Sequence, residues 1–406
     1  MFSKVQVLIV VFGLFAAAAV AQTPVPIKPN LPIKFTIKGK QSHEYMFDLS
    51  ADDVCNITTD AAYELPMSIE IRTPTGETLV SDRDATDGYV FVAAMPGTYV
   101  LKLYVYATLP DEELAKHIGK QVTVRYSNKF VLPATAKTKA TKTINGYQVK
   151  IADEPVDNGK TFLLVQKAGK LKALMTAEKQ VTGGYYFSDD PEQLDGANAK
   201  QSAALMRTTI DKTGDGTPDV AVEYYTGGAH CCFEMTFFEL GDPVRQLTTI
   251  DSANDRMMAI AKRPQGGLRF QFAEQAFAYW NINFAQSPMP TVIYEFDKSD
   301  ELIPRFDLMR KPAPTQAELK RRAAEAKAKI NLNPYTNPDD NFNDWEDSFW
   351  GEMLDLIFTG HEELAWQYFD LVWPAKKQGK AKFLADFKEQ LAHTAYSEWK
   401  EKQAKK

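Results

Sequence analysis

The chain is 406 residues long, with 44% hydrophobic and 25% charged residues, the proportions of an ordinary folded protein with room for two or three domains. Its 47 basic and 53 acidic side chains give a formal charge of −6, which argues against a dedicated nucleic-acid binder, because such a protein presents a basic face. Three cysteines, Cys55, Cys231 and Cys232, exclude a disulfide-dense scaffold, and their odd number leaves at least one thiol unpaired within the chain or paired outside it.

Residues 1–21 have the three parts of a secretory signal peptide. Lys4 supplies the charged start, Val5 to Ala18 form an uncharged apolar run, and Ala19-Val20-Ala21 is a small-x-small cleavage site. The apolar run is shorter than the ~20 residues of a spanning helix. Gln22 is therefore the expected mature N-terminus. No cysteine stands at the cleavage point to carry a lipid, and no later stretch is apolar enough to cross a membrane. These features predict export to the bacterial periplasm or beyond, with no transmembrane segment after cleavage.

Residues 22–32 form a proline-rich leader, expected to be extended. From 33 to 128 apolar residues alternate with polar ones: Ile33, Phe35 and Ile37; Tyr45, Phe47 and Leu49; Met67, Ile69 and Ile71; Tyr99, Leu101, Leu103 and Val105; Val122, Val124 and Tyr126. Turn residues at 73–76 and 95–97 separate the runs, so the spacing predicts an antiparallel β-sandwich. Residues 129–143 lack any period and read as a linker. A central β-rich domain is expected over 144–310, with strands at Tyr147/Val149/Ile151, Val220/Val222/Tyr224, Phe233/Met235/Phe237, Leu268/Phe270/Phe272 and Val292/Tyr294/Phe296.

After Pro312 and Pro314 the period becomes helical, and 311–406 is expected to be a separate α-helical domain. Thr315-Gln316-Ala317-Glu318 reads as a capping box, followed by the stripe Leu319, Ala323, Ala326 and Ile330. A polar loop covers 331–342, and a second cap is expected at Asn343-Asp344-Trp345-Glu346. Trp345, Phe349, Met353 and Ile357 then predict a helix stopped by Gly360. His361 to Trp373 form its hairpin partner, and a third helix carries Phe383, Phe387, Leu391, Ala395 and Trp399. The expected fold is thus multidomain and mainly β: an antiparallel sandwich, a central β-rich domain and a C-terminal helical hairpin domain.

Tyr45-Met46-Phe47-Asp48-Leu49, Asp52-Asp53-Val54, Pro74-Thr75-Gly76 and Pro96-Gly97-Thr98-Tyr99-Val100-Leu101 together resemble the bacterial pre-peptidase C-terminal domain. That resemblance implies a small jelly-roll-like sandwich serving as a non-catalytic accessory module of a secreted protein. No peptidase domain is evident beside it.

The sharpest motif is Asp211-Lys212-Thr213-Gly214-Asp215-Gly216-Thr217-Pro218-Asp219. Calcium takes six to eight oxygen ligands, and oxygens at alternate loop positions converge on one point. Asp211, Thr213, Asp215, Thr217 (through its carbonyl) and Asp219 are the candidate ligands, and Gly216 permits the sharp turn. The twelfth position is Val222, so the loop is no EF-hand. It resembles the strand-associated loops of FG-GAP and VCBS repeats, which implies a structural calcium ion; Thr213 is a poorer ligand than the Asn or Asp usual there. The competing reading is an Asp/Gly-rich turn that binds nothing.

The next strand runs into Thr226-Gly227-Gly228-Ala229-His230-Cys231-Cys232. Loop and turn together resemble a signature of exported bacterial proteins, and this resemblance brings no activity with it. Four readings stand open: a vicinal Cys231–Cys232 disulfide, a bridge from Cys55 to one of the pair, a soft-metal site of His230 with thiolates, and a Cys231 or Cys232 nucleophile with His230 as base. Plain buried thiols are the bland alternative.

His361-Glu362-Glu363 lacks the second histidine of a zinc-protease helix, since Ala365 stands there, and reads as a helix start. Tyr279, Trp280, Trp366, Tyr368 and Trp373 sit at core spacing. The basic stretch 318–329 reads as a solvated helix face. The sequence therefore predicts an exported, non-catalytic, calcium-stabilised binding or envelope-associated protein with a protein, peptide or glycan ligand. The alternatives are a secreted hydrolase using Cys231 or Cys232 with His230, and a soft-metal or redox-responsive protein.

Overall fold

The computed structural model describes residues 23–404 apart from 60–66, 85–88, 107, 157–158, 180–182, 191–196, 229–231, 336–344 and 346–347. The expected signal peptide, His230, Cys231 and most of the second cap lie outside the described residues. The chain divides into two units, one ending at Phe130 and the other starting at Val131.

The first unit is built from β1 (Val25–Pro26), β2 (Ile33–Thr36), β3 (Ser42–Leu49), β4 (Val54–Thr59), β5 (Met67–Arg72), β6 (Thr78–Asp84), β7 (Tyr89–Val92), β8 (Gly97–Val105), α1 (Asp111–Ala115) and β9 (Gln121–Ser127). Its strands form two sheets in the orders β1-β3-β8-β5-β6 and β2-β9-β4-β7. Period-two alternation gives each sheet one apolar face, and the two faces share a core of Phe47, Ile57, Ile69, Leu101, Val124 and Tyr126. The proline-rich leader contributes a strand: β1 pairs parallel with β3, and Ile27 N donates to the Met46 carbonyl at 2.8 Å. Cys55 is a free, fully buried thiol in this core, and burial pushes its pKa well up. A bridge from Cys55 to the Cys231–Cys232 pair is thereby excluded in this structure.

The second unit opens with β10 (Lys137–Ile144), β11 (Tyr147–Asp153), β12 (Lys160–Lys167) and β13 (Lys170–Glu178), an antiparallel meander. β14 (Gly184–Phe187), α2 (Ala197–Thr208), β15 (Asp219–Tyr225), β16 (Phe233–Glu239) and β17 (Arg245–Ala253) follow, the four strands pairing in chain order. A third sheet has β18 (Met258–Lys262), β19 (Leu268–Ala273), β20 (Thr291–Phe296) and β21 (Leu302–Pro304). Five helices complete the unit: α3 (Gln316–Lys327), α4 (Trp350–Phe358), α5 (Glu362–Val372), α6 (Lys380–Ala392) and α7 (Ala395–Ala404). The protein is thus mainly β and multidomain, with α3 to α7 forming a helical region at the C-terminal end.

Four sequence expectations are corrected. The supposed linker 129–143 contains β10, which pairs with β11 from Lys137 to Ile144. Its pattern escaped notice because β10 is an edge strand: only Ala140 and Ile144 pack on the core, and lysines and threonines fill the other positions. Residues 311–406 are not a separate domain. Phe237, Phe270, Phe277 and Phe296 of the β region share one core with Leu319, Trp350, Phe383 and Phe387 of the helices. The third expected helix is two, α6 and α7, broken at His393–Thr394.

Trp345 also falls outside a helix. It is buried, and its backbone bridges Ile330 before α4 begins. The Thr315 cap forms as expected, its hydroxyl accepting from Glu318 N at 3.2 Å. The Glu318 carboxylate pairs with Arg322.

Candidate functional site

The loop between α2 and β15 is closed by its own backbone. Asp219 is fully buried, and its Oδ2 accepts from Lys212 N at 2.7 Å, Thr213 N at 2.9 Å and Thr213 Oγ1 at 3.1 Å. Asp211 accepts from Gly214 N at 2.5 Å and Gly216 N at 2.8 Å. Asp215 stays near the loop tip and accepts from Thr217 N at 2.7 Å. Thus Asp211, Thr213 and Asp219 join one network, while Asp215 and Thr217 stand apart from it. Asp219 Oδ1 is buried without a partner. Among the described residues no three His, Cys, Asp or Glu side chains are placed as a metal-binding group.

The loop also locks onto the β18–β19 turn. Leu268 N donates to the Lys212 carbonyl at 2.8 Å, and Arg263 Nη1 donates to the Thr213 carbonyl at 3.1 Å. Gly214 has φ +93°, and a Cβ there would stand 2.7 Å from the Gly266 oxygen. A Cβ on Gly267 would stand 2.8 Å from the Thr213 carbonyl. Only glycine allows so close a backbone approach.

Sequence reasoning missed the charged residue inside this loop. Lys212 is buried, its ammonium donating to the carbonyls of Thr209 at 3.1 Å and Asp219 at 2.9 Å. Loss of hydration lowers its pKa to about 8 despite the attraction of Asp219 and Asp211. The Asp219 carboxyl moves oppositely, raised to about 6 by desolvation against the donors of Thr213 and Lys212. Buried charges with displaced pKa values mark places where a fold carries chemistry.

Lys212 and Asp219 line a cavity of about 470 Å³ together with residues of β10, the end of β14 and α2. Ile144, Phe187, Met206 and Val220 supply apolar surface, and Lys142, Arg207, Asp189 and Asp190 supply charge. Lys142 pairs with Asp189 and lies 4.4 Å from the centre of the Phe187 ring. An apolar cavity with a few convergent polar groups is the usual form of a small-ligand site. A lysine inside the 211–219 motif was the available signal. Lys142 offered none, because its strand read as linker.

At the far end of β15 the glycine turn is anchored by Thr226, whose hydroxyl accepts from Cys232 N at 2.8 Å while its N donates to the Cys232 carbonyl at 3.1 Å. Tyr225 donates to the Gly228 carbonyl and stacks on Phe233 at 4.5 Å. Cys232 is engaged and is not a free thiol. Two residues before Tyr225 on β15, Glu223 is buried and pairs with Arg256 at 3.0 Å, and desolvation raises its carboxyl to about 7 against the pull of Arg256. Arg256 also lies over the Phe233 ring at 4.7 Å.

The remaining candidates are structural. His361 bonds the Lys311 carbonyl at 2.7 Å ahead of α5. Trp280, Tyr368 and Trp373 are core residues and Trp366 packs against that core, whereas Tyr279, read as core, is exposed on a turn where its φ is +61°. Arg321 and Arg322 on the basic stretch pair with Glu325 and Glu352.

No protein-family model and no curated protein matches the chain. Among solved structures, the pre-peptidase C-terminal domain of a Bacillus anthracis collagenase is similar at 17% identity, covering 26% of this chain and 96% of that one, with a TM-score of 0.22. PliG, a periplasmic inhibitor of g-type lysozyme, is similar from Salmonella Typhimurium at 16% identity, covering 27% and 100%, with a TM-score of 0.21. The Aeromonas hydrophila PliG matches at 12% identity, covering 26% and 96%, with a TM-score of 0.20. Similarity at this level says nothing of partner or activity. Among the described residues no helix is long and apolar enough to cross a membrane.

Proposed function

We propose that the protein is an exported, non-catalytic binding protein of the periplasm or extracellular space whose second unit takes a small ligand in the cavity between β10 and α2. The observation that carries this reading is the cavity itself, about 470 Å³ of mixed apolar and charged lining around the buried Lys212 and Asp219. Native mass spectrometry of protein purified without denaturant, with thermal shifts against a metabolite panel, tests it. The expected result is a bound mass or a shift that Ile210→Trp, at the exposed rim, removes. A chain that carries nothing and responds to nothing overturns the reading. The hydrolase alternative loses one nucleophile, because Cys232 is not a free thiol.

We also propose that the 211–219 loop takes a structural calcium ion through Asp211, Thr213, Asp215, Thr217 and Asp219. The buried, unpartnered Asp219 Oδ1 supports this. The ion would have to draw Asp211 and Asp215 from their backbone donors, so modest affinity is expected. Unfolding of the mature protein in excess calcium, in magnesium and in chelator decides it. A ligand at 100 times its Kd adds about 2.7 kcal/mol. A calcium-specific rise absent in Asp215→Ala supports the site; equal melting in all three makes the loop a bare turn.

For the cysteines we propose a Cys231–Cys232 bridge, supported by the free Cys55 and the engaged Cys232 in a three-cysteine chain. Peptide mapping under non-reducing conditions would show one peptide carrying both half-cystines. Free thiol at Cys231 or Cys232 would sink this reading.

A further inference from the structure

We infer that the β10–α2 cavity selects a small organic anion, a carboxylate or phosphate head on an apolar body. This rests on the binding reading above. Three cationic side chains, Lys142, Arg207 and Lys212, line one cavity. Lys142 meets the Asp189 carboxylate, whereas Lys212 donates to two main-chain carbonyls and Arg207 Nη2 donates to the Asp189 carbonyl at 3.0 Å. Backbone carbonyls satisfy hydrogen bonds without neutralising a full charge.

The acids on the same wall are committed. Asp189 belongs to Lys142, and Asp219 Oδ2 accepts from three neutral donors of residues 212–213 while its charge attracts Lys212. This leaves Arg207 as the cation bonded to a carbonyl with no carboxylate paired to it among the described residues. Asp190 attracts both Lys142 and Lys139. The cations repel one another across the cavity: Lys142 is lowered to about 8, first by desolvation and then by Lys212 and Arg207, against Asp190. An anionic head would relieve that repulsion and accept the spare N–H donors. Phe187, Met206 and Val220 would cover an apolar body, and the volume exceeds what a bare inorganic ion fills.

The signs of the pH dependence follow. The groups facing Lys142 are Asp189 and Asp190 after β14, Arg207 on α2, and Lys212 and Asp219 of the loop. An anion favours the ammonium form, so its binding takes up protons near pH 8 and weakens as Lys142 loses its proton above that value.

The test is calorimetric titration of the full mature chain with phenyl phosphate, benzoate, inorganic phosphate and neutral benzyl alcohol. Phenyl phosphate or benzoate is expected to bind about tenfold or more tighter than benzyl alcohol, as charge-assisted hydrogen bonds allow. Which of the two wins names the head. Lys142→Met should cut that affinity about tenfold, while Lys142→Arg should keep it and make its fall between pH 7 and 9 shallower. Arg207→Met, on the exposed face of α2, gives a second loss if Lys142→Met fails to fold. Equal binding of benzyl alcohol, or unchanged affinity in the folded variants, overturns the anion inference but leaves the binding reading standing. Absence of binding by every probe overturns the inference, and the native mass measurement then decides the binding reading separately.

Discussion

In the N-terminal sandwich the buried positions are mostly apolar or aromatic, such as Ile57, Ile69, Leu101, Val124 and Tyr126; the hydroxyl of Ser68, the inert thiol of Cys55 and the ring of His117 are among the exceptions, and no carboxylate or lysine is buried among its described residues. The second unit buries Lys212, Asp219 and Glu223 as well as its aromatics. Both regions come from strands of similar length, so strand geometry does not separate them. The difference lies in what is put inside. Apolar burial contributes stability whatever the pH, at about 25 cal/mol per Å² removed from water. A buried charge costs stability unless it is paired, and its cost moves with protonation. Where a fold keeps such groups, a purpose beyond stability is the natural explanation, and two of them, Lys212 and Asp219, line the β10–α2 cavity.

The largest effect that sharpens this contrast is Leu101→Ala in the sandwich. It removes a fully buried side chain and should cost about 2–5 kcal/mol, by the same amount at pH 5 and pH 8, in urea unfolding. A strongly pH-dependent cost there would break the comparison.

Glu223→Gln should behave differently. The folded carboxyl titrates at about 7, above its ordinary 4.5, so the native protein is favoured while Glu223 keeps its proton. That contribution is complete below pH 4.5, is lost as pH rises to 7 and is constant above. Wild type should therefore lose about 3 kcal/mol relative to Glu223→Gln across that window, at about 1.36 kcal/mol for each pH unit of displacement. Unfolding curves of both proteins from pH 4.5 to 8 check it; parallel curves would show that Arg256 fully compensates the burial.

The smallest effect belongs to α3. Thr315→Ala removes the hydroxyl that caps Glu318 N and should cost about 1 kcal/mol without pH dependence, again read from urea midpoints.

Period-two runs made most of the sandwich legible, because each run buries alternate residues against one partner sheet. Thr315 and Gly360 marked helix ends for the same local reason: a hydroxyl cap and a left-handed residue act within one turn. Edge strand β10 was illegible, since half its face is solvent and its lysines are poor strand signals. The shared core of sheets and helices was illegible too. Apolar stripes at Leu319 and Phe383 state that something covers them, never what. The 211–219 motif placed the loop but hid its interior cation, because Lys212 reads as solvent-facing until Thr209 and Asp219 are seen to hold it.

The backbone contact of Gly214 with Gly266, and of Gly267 with Thr213, ties two segments some fifty residues apart into one packed unit. A side chain gained at Gly214 or Gly267 can be tolerated only if the other segment withdraws. Lineages of this chain should therefore keep or lose the acidic loop and the glycine-paired turn together, and a relative with the loop but a bulky residue at either turn glycine would have remade the wall of the cavity.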